Sequence, residues 1–270
     1  MSKVLGVTRS GYYAWRKRGP SNRSIENQRL TAEVKQIFEQ SNRSYGSPRI
    51  TEALRERDWS VSRPRVARLM RKNGIRVKPK PRFVPTTDSE HDEPICPNLL
   101  NRAFEPGKIN RAWVSDITYV PTREGWLYLT TVMDLGDRRI IGWATSSDMS
   151  AQQTSIKAFK MARDNRKPDP KTLFHSDRGI QYAAKAFRKL LSDSNISQQS
   201  MSRKGNCWDN AVAESFFKTF KSEAMGKRPF ESREKAQKVI FQYIEIWYNR
   251  KRLHSALGYK TPKEYLKSIL

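Results

Sequence analysis

Acidic residues are scarce in this chain: 27 Asp plus Glu stand against 52 Lys plus Arg, a formal net charge of +25. Cysteine is scarcer still. Cys96 and Cys207 are the only two, too few for a disulfide framework and suited to a reducing cytosol. Neither has a second Cys or a His at ligand spacing, which excludes a zinc motif. Long apolar runs are missing. No stretch approaches the roughly 18 consecutive apolar residues of a membrane span, and the opening Met-Ser-Lys-Val-Leu-Gly-Val-Thr-Arg lacks the apolar centre of a signal peptide. No internal repeat or low-complexity tract is evident. Membrane partners and secreted scaffolds are thereby set aside.

What is present is a cationic excess running through 270 residues, of which 37% are apolar and 10% aromatic. That is enough for about two domains, or one with appendages. The charge favours a polyanionic partner through counterion release; a merely soluble cationic protein is the plainer reading. Residues 1–24 read as part of a helix-turn-helix, with Gly6 as a turn and Thr8 or Ser10 capping an aromatic-faced helix. An ordinary amphipathic helix fits equally. Residues 25–77 read as a helix-turn-helix segment. Leu30, Val34, Ile37 and Phe38 recur at helical spacing over 24–40. Ser47 with Pro48, and Ser62 with Pro64, mark two short helix starts. The second short helix carries Arg63, Arg65, Arg68, Arg71 and Lys72 and is a plausible DNA reader, or a basic hairpin that touches only phosphate. Prolines over 78–108 predict an extended linker that lets the two parts move.

From residue 109 the pattern turns to strands, expected over 112–120, 126–135 and 139–145. A helix over 152–165, a short strand over 173–176, a helix over 183–194, a strand over 196–201 and a helix over 209–225 follow. Three meandering strands and then a helix–strand alternation is the order of a ribonuclease-H-like α/β core, here 109–226. A helical extension, 227–270, completes the chain, with Ala236, Val239, Ile240, Tyr243, Ile246 and Trp247 on one helix face.

Three of the few carboxylates fall at telling places: Asp116 in the first strand, Asp177 at the end of the fourth, and Glu214 on the helix after the fifth. Carboxylates repel a polyanion unless cations stand between them. Phosphoryl transfer with two divalent ions needs clustered oxygen ligands, and hard ions such as Mg2+ or Mn2+ prefer carboxylates and water. Glu214, Lys218 and Lys221 share one helix face, so lysines that can meet phosphate flank the carboxylate. Singly, each acid reads as a surface or turn residue; it is their joint placement that points to metal-assisted phosphodiester chemistry.

The motifs Trp-Val-Ser-Asp-Ile-Thr-Tyr, His-Ser-Asp-Arg-Gly-Ile-Gln-Tyr and Asn-Cys-Trp-Asp-Asn-Ala-Val-Ala-Glu-Ser-Phe-Phe resemble the second-frame (OrfB) transposase of the bacterial IS-three insertion-sequence family, in the retroviral-integrase-like DDE superfamily. The resemblance spans nearly the whole chain, from Tyr-Gly-Ser-Pro-Arg-Ile to the terminal Tyr-Asn-Arg-Lys-Arg-Leu-His run. It implies metal-dependent strand cleavage and strand transfer at element ends, with Asp116, Asp177 and Glu214 binding two Mg2+ or Mn2+ ions. It also implies double-stranded DNA as partner (element ends and target), an upstream-frame OrfA protein or OrfA–OrfB fusion, homo-oligomers on DNA, and a bacterial cytoplasmic, nucleoid-associated location. Between Asp177 and Glu214 lie 36 residues, one more than the family spacing, an excess we place at 196–200. That shift and an apparently clipped first helix-turn-helix motivate the alternative of a catalytically inactive DNA-binding regulator. A ribonuclease-H-type nuclease leaves the helix-turn-helix segments unexplained.

His175 reads either as a supporting group for substrate or proton transfer or as a packed strand-end histidine. Arg178, Arg203 and Lys204 are candidate DNA contacts. Trp208 reads as a stacking surface for a base or as a buried helix cap. Asp134, a fourth strand carboxylate, reads as a strand-end or turn residue rather than a ligand, and Tyr248, Arg250, Arg252 and His254 as a cluster that touches DNA or closes the core.

Overall fold

A computed structural model describes residues 4, 6–77, 93–226 and 228–269. The backbone divides into two compact units, Met1–Lys78 and Pro79–Leu270.

The first unit is helical. Helix α1 spans Arg9–Lys17 and is capped by Thr8, whose side chain accepts from Gly11 N–H; it buries no residue. Helix α2, Asn22–Gln40, starts two residues before the expected point because Ser21 accepts from Ser24 N–H. Helices α3 (Ser47–Arg55) and α4 (Arg63–Lys72) follow, each with Pro in its first turn. Gly46, rather than Ser47, is the cap of α3. Leu30 and Val34 of α2, Ile50 and Leu54 of α3, and Val66 of α4 are fully buried. So α2 closes the pair α3–α4 into a three-helix unit with one core.

The second unit is a three-layer α/β/α structure. Strands β1 (Ala112–Thr122), β2 (Gly125–Asp134), β3 (Ile140–Ser146), β4 (Leu173–Ser176) and β5 (Gln198–Met201) form one sheet in the order β3-β2-β1-β4-β5. The first three pair antiparallel; β4 joins β1, and β5 joins β4, in parallel. This is the expected ribonuclease-H-like arrangement. Each strand alternates its side chains between two cores. Trp113, Val132 and Phe174 face α5 (Ser155–Asn165), α6 (Ile180–Ala183) and α7 (Lys185–Asp193). Val114, Leu129 and Leu173 face α8 (Ala211–Ala224), α9 (Arg233–Phe241) and a π-helical continuation, Gln242–Tyr248. Gly142 lets α5 lie directly on β3, since a Cβ there would overlap Ala158 O. The expected helix over 183–194 is α7, and a short helix not expected from the sequence, α6, precedes it, with Ala184 as the joint.

Part of the expected linker and the carboxy-terminal extension belong to this unit. Of the linker 78–108, residues 78–92 lie outside the described residues. From residue 93 onward the chain straps the sheet: Leu100 is buried, and Leu99 and Leu100 N–H donate to Ser200 Oγ of β5 at 2.9 and 3.2 Å. The extension 227–270 likewise supplies Ala236, Ile240, Tyr243, Ile244 and Tyr248 to the core. The π-helical step changes which residues face inward: Ile246 is 43% exposed, while Ile244 and Tyr248 take the buried places. A widened turn shifts the phase of every residue after it, which a 3.6-residue pattern does not anticipate. The last helix, α10 (Pro262–Ile269), opens on a reciprocal cap: Thr261 N–H donates to Glu264 Oε2 at 2.9 Å and Glu264 N–H to Thr261 Oγ1 at 3.1 Å.

Candidate active site

Asp116 projects from mid-β1 on the α8 side of the sheet. Asp177 follows the last residue of β4, and Glu214 sits in the first turn of α8. The three carboxylates lie within electrostatic reach of one another. Burial and then the charge of Asp177, with a further contribution from Glu214, push the Asp116 carboxyl well above the usual carboxylate range. Burial raises Glu214 too, against the opposing charge of Lys218. Lys221 is pulled down by burial while Asp116 holds it up. Lys221 is thus within electrostatic reach of Asp116, and Lys218 Nζ lies 3.8 Å from Glu214 Oε2.

Proximity stops short of coordination. Among the described residues, no three Asp, Glu, His or Cys side chains converge closely enough to hold a metal ion. Each carboxylate is turned to a local donor. Asp116 Oδ1 accepts from Ile117 N–H at 2.8 Å, Asp177 Oδ1 from Gly179 N–H at 3.0 Å, and Glu214 faces Lys218. Like charges at short range favour this outward turning.

The loop between β5 and α8 is stitched to both aspartate-bearing strands. Ser202 N–H donates to Ser176 O at 3.0 Å, Arg178 Nε to Ser202 O at 2.7 Å, and Asn210 Nδ2 to Ser115 O at 3.2 Å. Within the loop, the buried Asp209 accepts from Arg203 N–H, Nε and Nη2 at 3.0, 2.8 and 2.8 Å, and from Arg102 Nε at 2.9 Å. The Arg203 hydrogen bond is the main reason Asp209 stays far below the usual carboxylate range. Arg203, a candidate DNA contact, therefore closes the loop as well, and Lys204 is exposed at its tip. Trp208 is 68% exposed, which overturns the buried-cap reading: it lies within a 3-10 turn, Cys207–Asn210, that leads into α8, and its indole faces solvent.

His175 is fully buried between β4 and β5. Ser200 Oγ already accepts two backbone N–H groups, so its own hydrogen goes to His175 Nδ1 at 2.8 Å. The ring proton is then on Nε2, 3.3 Å from Ser202 Oγ. Burial lowers this imidazole to about 4. The geometry is that of a packed strand-end histidine. Arg252 and His254 are also buried; Arg252 forms an ion pair with Glu223 at 2.9 Å, closing the core. Asp134 is a buried ion-pair member, 2.6 Å from Arg166, which also holds Asp137. None of Asp209, Arg102, Arg166 or Glu223 stood out in the sequence. For Asp209, the signal was an Arg six residues earlier across a Gly-containing loop.

In the helical unit, Arg63 and Arg68 are exposed on α4, whereas Arg65 donates to Asn27 Oδ1 at 2.9 Å and Glu26 Oε1 at 3.0 Å on α2.

The Integrase core domain family matches residues 107–207, a second Integrase core domain family matches 196–262, and an HTH-like domain family matches 26–83. The InsF transposase of insertion sequence IS3A from Escherichia coli strain K12 is 39% identical over 98% of this chain and 92% of its own length. The chain belongs to the IS3 family of insertion-sequence transposases. An uncharacterized 31 kDa protein of insertion element IS600 from Shigella sonnei is 43% identical to this transposase over 98% of the chain and 97% of its own length. Among solved structures, a simian T-cell lymphotropic virus intasome matches with a TM-score of 0.46 and 13% identity, over 86% of this chain and 73% of that one.

Proposed function

We propose that Asp116, Asp177 and Glu214 are the residues with which this DDE transposase cuts and rejoins DNA strands at element ends, and that they hold divalent cations, Mg2+ or Mn2+, against the phosphate. The observation that carries this reading is the placement of the three acids, Asp116 within β1, Asp177 just after the neighbouring β4 and Glu214 in the first turn of α8, close enough that, besides burial, the charges of Asp177 and Glu214 bear on Asp116. Three mutually repelling carboxylates in a chain of +25 net charge oppose DNA unless cations intervene. The donor set fits hard cations: three carboxylates, with neither thiolate nor an available imidazole among them. A bound divalent ion supplies activation of the attacking hydroxyl and charge stabilisation at phosphorus.

The rest falls to the chain. Glu214 must turn from Lys218 to join the aspartates, which frees the ammonium for phosphate. Lys221, beside Asp116, holds the neighbouring phosphate in line. Water or a 3′-hydroxyl attacks a phosphodiester, one P–O bond forming as another breaks. The freed 3′-hydroxyl then attacks a second strand by transesterification, with no covalent protein intermediate. Arg63, Arg68, Arg178, Arg203 and Lys204 are the proposed DNA contacts; Arg65, expected among them, is instead engaged by Glu26 and Asn27 of α2. An upstream-frame OrfA partner, self-association on DNA and a nucleoid location belong to the same reading.

Asp177→Asn tests it. Nicking and joining of an element-end duplex in Mg2+ fall by at least about a hundredfold, while duplex binding stays within about threefold. Full joining by that variant rejects the assignment. Nothing in the site favours the inactive-regulator alternative: β5 pairs with β4 without a register break, so the additional residue does not distort it, and Glu214 still acts on Asp116.

A further inference from the structure

Trp208 is 68% exposed, an unfavourable place for the largest side chain unless something covers it. The loop that carries it is held rigidly. Arg203 and Arg102 both bond the buried carboxylate of Asp209, the next residue, and Arg102 Nη2 donates to Asn206 Oδ1 at 2.9 Å. Gly205 takes a φ of +68° at the loop tip, where a side chain would strain the turn. Ser202 is tied to Ser176 and Arg178 on either side of Asp177, and Asn210 to Ser115 beside Asp116. The loop that bears the indole is thus fixed relative to the acidic residues at both of its ends, in a surround that carries Arg102, Arg203 and Lys204.

An exposed aromatic ring on a held loop, with cationic side chains around it, fits an unpaired nucleobase. Stacking uses the face that every base presents, while the guanidinium and ammonium groups follow the backbone. A paired base inside a duplex offers no such face. We propose that Trp208 is a positioning residue that stacks on a nucleobase unpaired at the strand end, and so holds the opened end at the carboxylates. This rests on the assignment of those carboxylates as the strand-transfer site.

The test uses the full chain and short DNA duplexes that are blunt or carry a three-nucleotide single-stranded end, with 2-aminopurine as the unpaired base next to the junction. The wild-type chain prefers the open end and quenches the 2-aminopurine. Trp208→Ala loses that preference by about 5- to 100-fold, the size expected of base–aromatic stacking, and loses the quench. Trp208→Phe keeps most of both. An abasic residue at the same position removes the preference from the wild-type chain and leaves Trp208→Ala unchanged. Asp177→Asn, which abolishes chemistry, keeps the preference and the quench, so failure of the carboxylate assignment and failure of this proposal give different results. The proposal is overturned if Trp208→Ala, with an unchanged melting temperature, binds the open end as the wild type does. It is overturned equally if the substitution changes only the protein's oligomeric mass without DNA, which would assign the ring to a second copy of the chain.

Discussion

A histidine two residues before a site aspartate invites a role in proton transfer, and its packing argues otherwise. Both ring nitrogens of His175 face serine hydroxyls that are themselves tied to backbone. Burial sets its titration near 4, against about 6.5 in an unfolded chain. Because the folded value is the lower, its contribution to stability is complete above about pH 6.5. It falls as acid is added, since the unfolded chain binds a proton that the fold refuses, and it is fully lost once the pH has passed below about 4. The loss from this one group reaches about 3 kcal/mol. Urea unfolding of the wild type at pH 7 and pH 4.5 therefore shows a drop that is mostly absent in His175→Gln. A pH dependence identical in the two proteins contradicts the assignment. At neutral pH the imidazole is uncharged, so strand transfer shows no kinetic pKa traceable to it.

At the scale of the element, α8 is the piece on which the site turns, and it is fixed from both ends. Asp209 and Asn210 anchor its start to Arg102, Arg203 and Ser115. Near its end Glu223 receives Arg252, Tyr243 Oη and Trp247 Nε1 from the carboxy-terminal segment. Glu223 and Arg252 side chains are each only 6% exposed. Arg252→Met strands a buried carboxylate and destabilises the unit by about 3–5 kcal/mol. The double variant with Glu223→Gln recovers much of that. Denaturant midpoints of the three proteins check this, and additive losses would refute it. Much of this element was legible in the sequence: its apolar face, the acid in its first turn, and the lysines one and two turns on follow from helical spacing. The strands were legible for the same reason, since alternation fixes both faces of β1 and β2. What could not be read was long-range pairing. Glu223 and Arg166 look like any solvated charge until partners 20 to 32 residues away are known. The π-helical step defeated the periodicity after Phe241, and the strap over β5 read as linker because its anchors are backbone N–H groups, which no side-chain pattern reveals.

For the whole molecule, the dominant fact is a field of one sign interrupted at one place. A net charge of +25 makes DNA association steeply salt-dependent, each neutralised phosphate adding about 0.9 to the slope of log K against log salt. Not every arginine contributes. Arg63 and Arg68 stand exposed on α4, whereas Arg65 is turned back onto Glu26 and Asn27 of α2. Arg63→Ala with Arg68→Ala lowers the slope by about 2 and leaves the melting temperature unchanged. Arg65→Ala does the reverse, loosening α4 from α2 while changing the slope by well under 1. Filter binding between 50 and 300 mM salt (about the range over which counterion release is measured), paired with thermal melts, separates the two roles. Should Arg65→Ala flatten the slope as much as Arg68→Ala does, its guanidinium faces phosphate rather than α2. The Asp177→Asn variant leaves the slope as it was, because the acidic cluster acts over one or two phosphates and the cationic surface over many.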